Sequence, residues 1–157
     1  MSKIKVADFY YGSVLSMLFS HNIKPALIEN GKERQIYHFT TNNSQFTLFV
    51  KYRSEKNETK KAEYSSWNFS LQNDLQDLSK YLDENINLIL ALVCGSKDLG
   101  ESELAILNSD EIARLFFLNK KSITISRKKN EKAFRIPLDG CRDGAITIKC
   151  NRFDELF

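Results

Sequence analysis

Apolar positions change period several times along the chain, and each change predicts an element. From Asp8 onward Tyr10, Val14, Met17, Leu18 and His21 recur at three- and four-residue steps, which places them on one face of a helix. Asp8 reads as the helix cap, and Pro25 lies shortly beyond the end. Pro25 to Glu29 reads as a short extended piece and Asn30-Gly31 as a turn, so the first strand proper is expected after it. Arg34 to Thr41 is rich in β-formers. Gln45 to Arg53 sets Phe46, Leu48 and Val50 on one face against Thr47, Phe49 and Lys51 on the other. Thr41 to Ser44 supplies the hairpin turn between them.

Ser54 to Glu63 is polar without periodicity and reads as a loop, followed by an aromatic segment from Tyr64 to Ser70 that carries Trp67 and Phe69. Leu75, Leu78, Tyr81 and Leu82 mark one side of a helix from about Asn73. Ile86 to Cys94 is the most apolar stretch and predicts a central strand buried on both faces. Glu103 to Leu107 follows as a strand, and Ser109 is expected to cap a helix whose Ile112, Leu115 and Phe116 face inward. Ser122 to Arg127 and Ala133 to Pro137 predict a hairpin with a basic tip, and Ala145 to Cys150 a last strand. Mixed element order of this kind implies an α/β or α+β domain: a three-layer-like arrangement with a mixed central sheet flanked by helices.

Composition narrows the class without naming a function. The 157 residues, 42% of them hydrophobic, suit one globular domain over 1–157 that needs no disulfide or metal to fold. Three cysteines without paired spacing and no recognisable leader point to reduced thiols in a cytoplasm, and two scattered histidines offer no zinc motif. The run from Leu88 to Cys94 is too short to span a membrane, so no membrane partner is expected. Net charge is +3, but the cations cluster from Lys51 to Lys61 and from Arg127 to Lys132, where local potential can attract phosphate. Serine-triad elbows and Gly-rich phosphate loops are absent from the sequence.

The succession of helix, strand pair ending in Lys51, later helix and buried strand resembles the core of the restriction-endonuclease-like PD-(D/E)xK superfamily. That resemblance implies a nuclease fold in which Lys51 stands at the signature lysine, with Glu29 as a loose candidate for an accessory acid. It also implies magnesium held by carboxylates as the cofactor of an active member. The chain departs from the signature at Phe49, where an acid or glutamine is expected, and offers His38 rather than aspartate in the preceding strand.

Lys51, Glu29 and His38 are therefore the catalytic candidates, against the alternatives of a strand lysine reaching solvent and a satisfied histidine. Lys56, Lys60, Lys61, Arg127, Lys128, Lys129 and Lys132 are the candidate contacts to DNA or RNA phosphates, or else charged loop tips guarding a sheet edge. Trp67 could stack on a base or fill the core. Three readings result: a catalytically degenerate nuclease-like domain that binds nucleic acid through basic loops, a protein-interaction or inhibitor module, and an active metal-dependent nuclease. Without magnesium chemistry no cofactor is called for.

Overall fold

The computed structural model describes residues 2–42, 44–54, 56–59, 63–84, 86–138 and 144–157. Helix α1 (Val6–Ser20) begins one turn earlier than the periodicity suggests, because Asp8 is not the cap itself. It occupies the third helical position and its carboxylate accepts the Lys5 backbone N–H at 2.9 Å, as in a capping box. The helix stops at Asn22, whose φ of 60° is left-handed, while the Ile23 N–H returns to the Leu18 carbonyl at 3.0 Å. Pro25 only follows an end already made.

Strands β1 (Ala26–Asn30), β2 (Gln35–Thr40) and β3 (Gln45–Arg53) form an antiparallel meander. The extended piece before Gly31 is thus a full edge strand paired to β2, an element the short apolar run did not reveal. After β3 the chain leaves this sheet, makes β4 (Asn57–Thr59), β5 (Tyr64–Ser70) and α2 (Leu75–Asp83), and returns as β6 (Asn87–Cys94) parallel to β3. A parallel neighbour requires such a long crossover. Strand β7 (Glu103–Leu107) completes a mixed sheet of order β1-β2-β3-β6-β7.

Helix α3 (Ser109–Phe117) follows, capped by Asn108 rather than Ser109. The Asn108 side chain accepts the Glu111 N–H at 2.9 Å, which leaves the Ser109 hydroxyl to bond the Leu88 carbonyl, also at 2.9 Å. Strands β8 (Ser122–Lys128), β9 (Ala133–Ile136) and β10 (Ile146–Lys149) join β5 and β4 in a second, antiparallel sheet of order β10-β9-β8-β5-β4. A short α4 (Arg152–Leu156), unforeseen in the sequence, ends the chain.

The mixed sheet is central, but the sequence expectation that helices flank it is corrected on one side. One face packs α1 and Phe153 of α4. The other packs the second sheet together with Leu78 of α2 and Ile112 and Leu115 of α3. Strand β6 explains both. Leu88, Leu90, Leu92 and Cys94 point to the second sheet, and Ile89, Ala91 and Val93 point to α1, so an unbroken apolar run is what a strand covered on both faces needs. No helix among the described residues is long and apolar enough to cross a membrane.

Candidate functional site

Alternation along β3 turns Lys51 to the same face as Phe49, into the space beside the second sheet. A lysine buried there to 8% exposure requires a counter-charge, and Asp74 supplies it, with its Oδ2 2.5 Å from the ammonium. Asp74 precedes α2 and is itself buried. Its Oδ1 accepts from Arg34 at 3.1 Å. Arg34 comes from the β1–β2 turn and lies over the Phe49 ring, 5.1 Å from its centroid. The same guanidinium grips Glu29 through Nε at 2.6 Å and Nη2 at 3.1 Å, and reaches Asp77 at 2.5 Å. Its hydrogen bonds, that to Glu29 foremost, hold Arg34 more firmly protonated than an ordinary arginine.

Two cations are thus interleaved with three carboxylates. The magnesium that the resemblance implies does not fit this set. Each carboxylate is turned to a guanidinium or ammonium instead of converging with the others, and Phe49 holds the position of the signature acid beneath Arg34. Among the described residues no group of His, Cys, Asp or Glu is assembled to hold a metal.

Above the network lies a polar cleft of about 390 Å³, with Lys51 in its wall and Lys32, Glu33, Arg53, Asn68 and Asn73 around it. A second cleft of about 670 Å³ shares Ser54 with the first and adds Lys56, Ser96, Lys97 and Asp98. Both open at the carboxyl ends of the parallel pair β3 and β6, the place where sheets of this kind offer backbone and loops to ligands. Gly95 fixes the geometry there. Its N–H donates to the Arg53 carbonyl at 2.8 Å and its carbonyl accepts the Trp67 indole N–H, also at 2.8 Å. A Cβ would sit 2.6 Å from both the Arg53 carbonyl and the Tyr10 hydroxyl.

The remaining candidates separate. Glu29 does join Lys51, but through Arg34 and Asp74 and not as a free acid. His38 lies towards the other end of the sheet, exposed, with its Nδ1 2.9 Å from the Thr47 hydroxyl; among the described residues no carboxylate orients it as a base. Trp67 is 1% exposed and its ring lies in the core between the sheets, so the base-stacking expectation is corrected: the strand face that holds it is the buried one. Arg127 is likewise withdrawn from ligand contact, bound to Glu103 at 2.5 Å and to the Lys128 and Glu131 carbonyls at 3.1 and 3.2 Å.

Lys128, Lys129 and Lys132 are exposed at the β8–β9 tip, and Lys56 lines the second cleft. Lys60 and Lys61 lie outside the described residues. Strand β5 pairs with both β4 and β8, so Tyr64 stands opposite Thr59 on one side and Lys128 on the other. The Lys129 N–H donates to the Glu63 carbonyl at 2.8 Å. The start of β5 is therefore held against the start of the basic β8–β9 tip. Asp74, Asp77, Arg34, Lys32 and Arg53 are the site residues that periodicity did not single out. The one available signal was Asn73-Asp74 ahead of an amphipathic helix, which reads as a cap. No family model, curated protein or solved structure matches the chain.

Proposed function

We propose that this chain is a nucleic-acid-binding domain on a nuclease-like framework that works without the metal-dependent cleavage step. The observation that carries the reading is the group of exposed lysines Lys128, Lys129 and Lys132 at the β8–β9 tip. Phosphate backbones are recognised by such clustered, solvent-facing cations, and each contact releases counterions. The clefts at the carboxyl ends of β3 and β6 also support it. Lys32 and Arg53 are exposed and have no side-chain ion pair among the described residues, and Asn68, Asn73 and Ser54 add neutral hydrogen-bonding groups.

Support for the framework comes from element order: helix, three-stranded meander with the lysine near the end of its third strand, crossover with a helix, and a strand parallel to the third. Within it Lys51 acts as a structural cation, paired to Asp74. The pair leaves the lysine no spare charge for a bound phosphate.

Fluorescence anisotropy with labelled single-stranded and duplex oligonucleotides across a salt series tests the proposal. Each of Lys32→Ala, Arg53→Ala and Lys128→Ala is expected to weaken binding to all sequences alike and to lower the salt slope by about 1. No binding at low salt, or affinity indifferent to these substitutions, rejects it. Magnesium-dependent cleavage of any of these oligonucleotides would restore the nuclease reading in its place.

A further inference from the structure

The outward face of α1 carries a single charged side chain. Asp8 is the one Asp, Glu, Lys or Arg between Val6 and Ser20, and its carboxylate is spent on the Lys5 N–H. Away from the sheet the helix shows Val6, Phe9 and Phe19, which are 54%, 47% and 58% exposed, with Gly12, Ser13, Ser16 and Ser20 between them. A helix lying on a protein surface ordinarily turns charged residues outward, and one apolar all round is a buried one. The hydroxyls do not contradict this. Ser13 donates to the Tyr10 carbonyl at 2.7 Å and Ser20 to the Ser16 carbonyl at 3.0 Å, so both are satisfied inside the helix. No contact among the described residues requires a glycine at 12: a Cβ there would meet nothing within 4 Å, and glycine disfavours a helix interior. Close approach of something from outside would account for it.

We propose that α1 is the contact through which two copies of this chain associate, antiparallel about a two-fold axis. The arrangement of the face is what selects a second copy. Phe9 and Phe19 lie five residues before and after Val14, and Gly12 and Ser16 two before and two after. With about 100° per residue, the midpoints of both pairs fall on the same line of the helix surface. A two-fold axis through that line sets Phe9 of one copy against Phe19 of the other and Gly12 against Ser16, twice over. Small residues then lie at the centre, where the backbones approach, and aromatic rings close the flanks. That self-matching is the mark of an isologous contact.

Charge agrees with the same orientation. Exposed Lys3 and Lys5 stand at the amino end of α1. Asp154, whose side chain is 70% exposed, stands at the carboxyl end beside His21, while Lys24 is turned to the cavity beside His38. Antiparallel association brings the lysines of one copy towards the aspartate of the other, and it also opposes the two helix dipoles. Helix α1 is about 22 Å long, so the contact is smaller than the roughly 800 Å² per partner of a stable assembly, even when Ile4 and Leu156 extend it. Association is therefore weak and concentration-dependent.

Sedimentation equilibrium of the full chain up to about 100 µM measures it. Phe9→Lys and Phe19→Glu are each expected to weaken association at least about tenfold. The double variant should regain it, because each new lysine then faces the new glutamate of the other copy. Gly12→Gln, which adds bulk at the centre and favours the helix, should abolish association while the melting temperature is unchanged or raised; it serves if the phenylalanine variants fold poorly. A chain monomeric at every concentration overturns the proposal. So does a dimer indifferent to Gly12→Gln, or a double variant no better than the singles.

Discussion

Positive charge is handled in opposite ways at the two basic regions. At Lys51 and Arg34 it is buried or nearly so and matched by Asp74, Glu29 and Asp77. At Lys128, Lys129 and Lys132 it is exposed on a hairpin tip held to the neighbouring turn by one backbone hydrogen bond. Read as residues, both regions are lysine and arginine among aromatic and polar neighbours. The difference is dielectric. A cation out of water must be paired, so the first region is bound to matter for stability, whereas exposed cations cost little and remain available to an anionic partner.

The comparison breaks most sharply at Asp74. Asp74→Ala would strand a buried ammonium and one side of a guanidinium, and about 3–5 kcal/mol of stability should disappear from a urea titration; a loss below about 1 kcal/mol would mean that water reaches the cluster. Lys51→Met should cost less, roughly 1–3 kcal/mol, because Arg34 still balances Asp74. The pair should show non-additivity of about 1 kcal/mol or more in a double-mutant cycle with Asp74→Asn.

Arg127→Ala sharpens the contrast from the other side. Although it belongs to the basic run, its bonds to Glu103 and two carbonyls predict a loss of about 1–2 kcal/mol in the same titration. Lys128→Gln, Lys129→Gln and Lys132→Gln should each change stability by less than about 0.5 kcal/mol. A larger value for any of them would show the tip to be structural too.

The last effect is absent at neutral pH. Burial first, and then the Tyr52 phenol, raise Tyr11 above its ordinary 10.0, and its hydroxyl donates to the Lys32 carbonyl at 3.2 Å. A folded-state value above the unfolded one gives stability that is complete below pH 10.0 and is lost as pH rises beyond it. Melting temperature should therefore fall as pH rises above about 10, and Tyr11→Phe should flatten that fall. An equal slope in the variant would assign it to other groups, such as Tyr37, which burial also raises.

Much of the framework was legible from pattern. Strands β3 and β7 coincide with their expected bounds, and β6 begins one residue later than expected. Long apolar or alternating runs are local signals, and burial of their faces leaves no second choice of structure. Strand β1 was less visible, because an edge strand with Leu27 and Ile28 exposed has no buried face to impose alternation. The helix caps were shifted by one to three residues because Lys5 and Asn108, not Asp8 and Ser109, have the extended backbone that a cap requires. Trp67 showed the limit of spacing as a guide: alternation gives two faces but not which one is covered.

The sequence by itself determined that the chain builds a mixed sheet around Leu88 to Cys94, that β3 carries Lys51 beside Phe49, and that cations gather in two runs. Those follow from periodicity and composition, which act over a few residues. Only the tertiary structure decided that the far face of the sheet is covered by another sheet, that Lys51 is neutralised by Asp74 of a later helix start, and that β5 is paired between β4 and β8. Such contacts join residues separated by a crossover or a hairpin. Their energy comes from burial and charge pairing across that separation, and no local pattern records it.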